Sequence, residues 1–257
     1  MNNLVIGNTS QLSYYFPDEY IKISSRNIPY DDYKDSFFDR IFICFAEQRT
    51  FIENDEKVFN EVNFDYTKEV IQFFKDKCNN IVWYSTSELW NNCNGPINLD
   101  MSYNYNYSPY IKSKEIITNY IKSHYPNVII LYPFNFNSIH RKDGFLFKKI
   151  FNSIIKGEKI EIGDTYFYRD VVHPLYVVYK SITTENNEII GSGRLIHIND
   201  FIRKLYAHFE LDYDELVTEN INCNNLVKRK TYWLESRQCQ YNCLLYDTIK
   251  EIEKFKK

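Results

Sequence analysis

Short apolar runs alternate with amphipathic stretches along most of this chain, and the alternation predicts strands and helices in turn. Leu4-Val5-Ile6 reads as a first buried strand, followed through Gly7 to Ser13 by a tight turn and a short helix. Glu19 to Ser24 reads as a second strand and Arg40 to Ala46 as a third, with only a polar, proline-containing connection between Arg26 and Asp39. An amphipathic helix is predicted from Glu61 to about Lys77, with Val62, Tyr66, Val70 and Phe73 at helical spacing. The run Asn80-Ile81-Val82-Trp83 is a buried strand, and Ile116, Ile117, Tyr120 and Ile121 mark a second amphipathic helix. Val128 to Pro133 is another strand, Phe145 to Lys156 a helix ending at Gly157, and Lys159 to Gly163 a strand entering a turn. A helix reaches His208, and Tyr232-Trp233-Leu234 and Leu244 to Phe255 give a short apolar segment and a terminal helix.

Two of these elements carry candidate chemistry. Ser108-Pro-Tyr-Ile-Lys-Ser-Lys114 opens a helix with Tyr110 and Lys114 four residues apart, hence on one face. An ammonium beside a phenol favours the phenolate, which makes the tyrosine usable as an acid or base nearer neutrality. Tyr84-Ser85-Thr86-Ser87-Glu88 lies where the strand before it should end, and a hydroxyl there can help the tyrosine polarise a carbonyl.

Four stretches, IVWYSTSELW from Ile81, SPYIKSK from Ser108, VIILYPFN from Val128 and YRDVVH from Tyr168, fall in the order and spacing of the extended short-chain dehydrogenase/reductases. The chain resembles that group of NAD(P)-dependent nucleotide-sugar epimerases, dehydratases and reductases over about residues 1 to 205. The resemblance implies an α/β fold, a Rossmann-type doubly wound parallel sheet with a small, abbreviated C-terminal substrate-binding portion. Residues 1–135 would form the NAD(P)-binding domain, and 136–257 mainly the substrate-binding portion, with segments returning to the first. Thr86 matches the catalytic Ser/Thr, Tyr110 the general acid/base, and Lys114 its partner, which in the family also holds the nicotinamide ribose. Gly7, Ser10, Gln11 and Leu12 stand in the dinucleotide loop, where the pyrophosphate would rest on backbone N–H groups at a helix N-terminus. The family has three glycines there; Ser10 and Ser13 replace two of them. Gln11-Leu12 resembles the GQLG of deoxysugar reductases.

Ser24 and Arg26 close the second strand, where an arginine can pair with the extra phosphate of NADP; a solvated loop residue is the alternative. Phe45 and Ala46 would pass under the adenine and ribose, and Pro133 would lie against the nicotinamide. Asn63 matches a structural or proton-relay asparagine. Ser87, Glu88, Asn135, Arg169 and Arg194 are the substrate-binding candidates, the arginines suiting a diphosphate. A local ion pair between Arg169 and Asp170 is the other reading of that pair. Relatives dimerise through the helix at 61–77 and the one bearing Tyr110, which implies a homodimer.

The residues after Thr86 narrow the reaction. Dehydratases of the family place Asp-Glu there, whereas this chain has Ser87-Glu88; enzymes that epimerise beside a keto group place a cysteine at the position of Ser87. What remains is an NADPH-dependent reductase of a nucleotide-linked 4-keto sugar, in deoxysugar or surface-polysaccharide biosynthesis, or a 4-epimerase with retained NAD. A non-catalytic nucleotide-binding relative is a third reading, favoured by the serines in the glycine loop and the trimmed middle. Thr86, Tyr110 and Lys114 together favour catalysis.

Composition changes the picture only by exclusion. With 257 residues, 31 basic and 34 acidic side chains and a net charge of -3, the chain offers no basic face for nucleic acid. Six cysteines at 44, 78, 93, 223, 239 and 243 are too scattered for a zinc site, so no metal is expected. No run reaches the ~18 apolar residues of a spanning helix. The start at Asn3-Leu4-Val5-Ile6 shows no signal-peptide pattern, which predicts a cytoplasmic protein without membrane attachment.

Overall fold

The computed structural model describes residues 2–50, 55–220, 231–236 and 240–256. In chain order its elements are β1 (Asn3–Ile6), β2 (Ile21–Ile23), β3 (Phe38–Ile43), α1 (Glu56–Asn60), a π-helical segment (Glu61–Tyr66), α2 (Thr67–Phe74), β4 (Cys78–Tyr84), β5 (Gly95–Ile97), α3 (Pro109–His124), β6 (Val128–Pro133) and β7 (Asn135–Phe136). They continue with α4 (Leu146–Lys156), β8 (Ile160–Gly163), β9 (Tyr168–Arg169), β10 (Val171–Val172), α5 (Pro174–Thr183), β11 (Glu188–Ile190), β12 (Ile196–His197), α6 (Ile198–His208), α7 (Tyr213–Leu216), β13 (Val217–Asn220), β14 (Tyr232–Leu234) and α8 (Leu244–Phe255). The chain forms two compact units, one of residues through Asn92 with Ser102–Pro133 and Val178–Ile190, the other of Cys93–Met101, Phe134–Val177 and the residues from Gly191 onward.

The first unit is built on a six-stranded sheet in the order β11-β6-β4-β3-β1-β2, with every neighbouring pair parallel. β1 and β6 are buried along their whole length, as strands covered on both faces must be, which explains their unbroken apolar runs. β1 lies between β2 and β3, so the chain winds outward to β2 and then in the opposite direction through β3, β4, β6 and β11. The reversal makes a switch point between β1 and β3, where such sheets open a crevice at the C-terminal strand ends.

The crossovers differ across this sheet. α3 lies between β4 and β6, and α1, the π-helical segment and α2 lie between β3 and β4. By contrast β1 is joined to β2 through a single 3-10 turn, Ser13–Tyr15, and β2 to β3 through another, Tyr30–Tyr33. Aromatic rings fill the space that helices would cover: Phe16 packs on Phe42 with centroids 4.5 Å apart, Tyr20 stacks on Phe42, and Tyr30 packs on Phe73 at 4.5 Å. Arg40 of β3, nearly buried, donates to the carbonyls of Ser181, Ile182 and Thr184 (3.0, 2.8 and 2.9 Å) and to Glu185, satisfying the end of α5 with a fixed positive charge.

The second unit is assembled from two-stranded pieces, β7 with β10, β8 with β13 and β5 with β14 in parallel and β9 with β12 antiparallel, packed with α4, α6, α7 and α8. Gly157 ends α4 with φ 68°, the left-handed position its sequence place predicts. Asp170, fully buried, accepts from Ser192 N and Oγ (both 2.7 Å), Gly193 N (3.0 Å) and Leu234 N (3.3 Å). Those donors occupy the carboxylate that the sequence left open as a partner for Arg169, whose guanidinium instead donates to the Tyr168 carbonyl (3.0 Å) and lies over Phe167.

Two sequence expectations are corrected here. The short helix after Gly7 is only the turn at Ser13–Tyr15, because Phe16-Pro17 follows at once and proline cannot continue an α-helical ladder. The helix expected from Glu61 begins at Glu56, where the Asp55 side chain accepts from Lys57 N (2.9 Å) as an N-cap.

Candidate active site

The C-terminal edge of the large sheet is where the sequence candidates of the first unit collect. Ile6 pairs with both Ile23 and Ile43, Ile43 with Trp83, and Tyr84 with Leu131, so the residues that follow these strands emerge along one edge. They are Gly7, Ser24, Phe45 with Ala46, and Thr86, with Pro133 closing β6.

At the end of β4, Ser85 N still pairs with the Leu131 carbonyl (2.8 Å). Thr86 then leaves the sheet in an extended conformation and caps the one-turn helix Ser87–Trp90, its Oγ1 accepting from Glu88 N (3.2 Å). That cap uses a lone pair of the hydroxyl and leaves its proton for donation. Ser87, like Thr86, is buried, while Glu88 is half-buried and accepts from Asn91 Nδ2 (3.1 Å).

α3 carries the other two catalytic candidates. Ser108 caps it by accepting from Ile111 N (3.2 Å), and Pro109 takes the first helical position, where its missing N–H costs nothing. Tyr110 is half-buried with its ring edge-on to Phe59. Lys114, one turn later, is 2% exposed; its Nζ donates to the Tyr84 carbonyl (2.8 Å) and stands 4.6 Å from the centre of the Trp83 ring. Burial pushes its pKa down to about 7. The sequence argument takes this lysine as a full positive charge; the interior makes it a group that titrates near neutrality.

Buried hydroxyls and amides tie these pieces together. Ser85 Oγ and Thr118 Oγ1 are hydrogen-bonded at 2.8 Å, and Thr118 donates to the Lys114 carbonyl (2.5 Å), linking the end of β4 to the turn of α3 after the lysine. Asn63, in the π-helical segment, accepts from Glu47 N (2.8 Å) and donates to the Glu47 carbonyl (3.1 Å) and Ser113 Oγ (3.0 Å). Ser113 in turn donates to the Tyr110 carbonyl (2.7 Å). Sequence reading named Asn63 and the strand-end hydroxyls around Ser85 but not their partners, and gave no role to Ser113 or Thr118, because such partners are up to 50 positions away.

The nucleotide end of this edge is more irregular. Gly7 sits at φ 109°, and a Cβ there would lie 3.2 Å from Phe45 N, so only glycine lets the loop pass this close to the end of β3. Gly7 N and Asn8 N both donate to the Ile23 carbonyl (2.9 Å each), and Ser10 N and Ser13 N turn inward to Gly7 and Ser10 (2.8 and 3.0 Å). With no α-helix after the loop, the expected helix N-terminus for a pyrophosphate is absent; these amides close turns instead. Gln11 Oε1 is buried with no hydrogen-bond partner among the described residues, an acceptor suited to a hydroxyl donor. Leu12 is buried, Ser24 Oγ accepts from Arg26 N (3.0 Å), and Arg26 is exposed. Phe45 packs against Tyr66 (5.1 Å), beside half-buried Ala46. Tyr132 is buried with its hydroxyl 3.2 Å from that of Tyr103.

Asn135, Arg169 and Arg194 belong to the second unit. Asn135 is exposed at the start of β7. Arg169 pairs in register with Ile196 in an antiparallel ribbon, and Arg194 lies two residues before that ribbon's second strand. Arg194 donates to the Asn242 carbonyl (3.2 Å). Asp200 lies in the first turn of α6, where a carboxylate is favoured, with Oδ1 3.1 Å from His197 Nδ1. Among the described residues no group of His, Cys, Asp or Glu side chains is placed to hold a metal, and no helix is long and apolar enough to cross a membrane. Cys223 and Cys239 lie outside the described residues.

By sequence, neither a protein-family model nor a curated protein matches this chain. By structure it is similar to UDP-N-acetylglucosamine 4-epimerase from Methanobrevibacter ruminantium M1 in complex with UDP-N-acetylmuramic acid, with a TM-score of 0.80 and 15% identity over 99% of this chain and 97% of that one. It is similar to RMD from Pseudomonas aeruginosa complexed with NADPH, with a TM-score of 0.79 and 13% identity over 99% of both chains. A double mutant of DesIV, a dTDP-glucose 4,6-dehydratase from Streptomyces venezuelae with NAD and DAU bound, matches with a TM-score of 0.77 and 17% identity over 99% of this chain and 96% of that one. The fold is therefore a Rossmann-type α/β fold, shared with these structures over essentially the whole chain.

Proposed function

We propose that this chain is an NAD(P)-dependent oxidoreductase of the extended short-chain dehydrogenase/reductase type that acts on a nucleotide-linked sugar, as an NADPH-dependent reductase of a 4-keto group. The observation that carries the reading is that α3, with Lys114 one turn after Tyr110, is joined to the end of β4 just before Thr86 by the Lys114–Tyr84 and Ser85–Thr118 hydrogen bonds. The unsatisfied oxygen of Gln11, in the loop at the switch point of the sheet, suits a hydroxyl donor of a nucleotide. Gly7, Ser10, Gln11, Leu12, Ser24, Arg26, Phe45, Ala46 and Pro133 would hold the cofactor with Tyr110 and Lys114. A bound nicotinamide supplies a hydride to the carbonyl carbon. Tyr110 gives a proton to the carbonyl oxygen, Thr86 donates a hydrogen bond to that oxygen, and Lys114 stabilises the tyrosinate left behind. Arg26 favours the phosphate of NADPH. Glu88, Asn135, Arg169 and Arg194 are assigned to the nucleotide sugar, so the second unit is its binding portion; a homodimer and a role in deoxysugar or polysaccharide synthesis follow from the same reading.

A 4-epimerase with retained NAD is the second reading, favoured by the likeness to the Methanobrevibacter epimerase. The inward-turned amides of the Gly7 loop favour a third, a non-catalytic nucleotide-binding relative. Calorimetric titration with NADPH and with NADH, after analysis of any co-purified nucleotide, separates them. Tight NADPH binding with consumption of NADPH on a nucleotide-linked 4-keto-6-deoxy sugar is the expected result; retained NAD selects the epimerase, and binding of neither nucleotide sinks both. In the reductase, Tyr110→Phe lowers turnover roughly 10²–10⁴-fold, far more than it weakens NADPH binding.

A further inference from the structure

Lys114 is almost wholly enclosed, yet its side-chain nitrogen meets an aromatic face as well as a carbonyl. Trp83 is fully buried in β4, and its side chain lies on the sheet face that α3 covers. The ammonium stands 4.6 Å from the ring centre and donates to the carbonyl of the next residue, Tyr84, at 2.8 Å. Tyr110 lies one turn before it on its own helix, and the Ser85–Thr118 link fixes the turn after it. Two influences therefore oppose each other. Enclosure disfavours the charge, while the negative face of the indole and the carbonyl oxygen favour it.

We propose that Trp83 is a positioning residue of this site, whose indole face seats the Lys114 ammonium at the end of β4 and favours its charged form against burial. An aliphatic side chain at position 83 would fill the same space and leave the lysine to the unopposed effect of burial. The aromatic ring thus sets the pH range in which a charged Lys114 stands beside Tyr110. The consequence for hydride transfer rests on the function proposed above, whereas the indole–ammonium contact does not.

The test reads Lys114 directly. In a chain with Trp90 and Trp233 replaced by Phe, the emission of Trp83 should change with pH at a midpoint near neutrality, and Lys114→Met should abolish the change. NMR of carbon-labelled lysine then follows the same ionisation when the indole is removed. Trp83→Leu should lower the Lys114 midpoint by roughly one pH unit, the tenfold change that ~1.4 kcal/mol of lost attraction produces, and Trp83→Phe, which keeps a ring of similar shape, by less. In the active reductase Trp83→Phe should displace the pH profile of turnover in step with that midpoint. An emission indifferent to Lys114→Met, or a midpoint that stays or rises in Trp83→Leu, overturns the proposal. Neither spectroscopic readout needs cofactor or substrate, so a chain that binds no nicotinamide nucleotide would refute the proposed function and leave this assignment standing.

Discussion

The two halves of the central sheet are covered in different ways. Between β4 and β6 runs α3, a 16-residue helix with a serine cap and a proline at its first position, and it holds Tyr110 and Lys114 at fixed spacing. Around β1, β2 and β3 the crossovers shrink to single 3-10 turns, and a layer of aromatic rings takes the place of helices. A helix satisfies its own backbone and presents side chains at a set period, so the half to which the proton chemistry is assigned by proposal is geometrically regular. A loop must find a partner for each amide in turn, and here Gly7 N, Asn8 N, Ser10 N and Ser13 N have all found internal ones. The proposed reacting groups thus rest on regular structure, and the proposed nucleotide end rests on close packing of side chains and one glycine.

This contrast can be broken most severely through the aromatic layer. Phe42→Ala removes the ring on which both Phe16 and Tyr20 pack, with no crossover helix to close over the gap; a loss of about 3–5 kcal/mol is expected in denaturant unfolding. An effect below about 1 kcal/mol would mean that the layer is not what holds this half. Gly7→Ala places a Cβ 3.2 Å from Phe45 N at a φ that L-residues rarely adopt, and a loss of about 2 kcal/mol should accompany weaker nucleotide binding. Full retention of both would show that the loop readjusts freely.

The helical half yields a smaller and opposite effect. Lys114 has a folded-state pKa of about 7, below the roughly 10.4 of an exposed lysine, so between those values the unfolded chain binds a proton that the folded chain does not. Stability therefore rises with pH across that window, and the penalty is complete below its lower end. Lys114→Met should stabilise the fold by about 1 kcal/mol at neutral pH, after the lost bond to Tyr84, with the gain shrinking as pH rises toward 10 and turnover abolished. Thermal unfolding of both proteins across this range checks the sign; a gain that grows with pH would contradict it.

The amino-acid sequence by itself determined most of the elements: the apolar runs of β1, β4 and β6, the helix opening at Ser108-Pro109, and Gly157 after α4 are local signals, because periodicity, capping and left-handed backbone depend on neighbours in the chain. It also placed Tyr110 and Lys114 on one helix face. Tertiary structure alone decided the order β11-β6-β4-β3-β1-β2, the collapse of the helix after Gly7 to one turn, the burial of Ser87 and the capture of Asp170 by Ser192, Gly193 and Leu234. It likewise decided that Lys114 loses water and gains an indole face. The physical reason is common to these cases: desolvation and hydrogen bonding are set by groups that folding brings near from distant positions, and no pattern of adjacent residues encodes which ones will arrive.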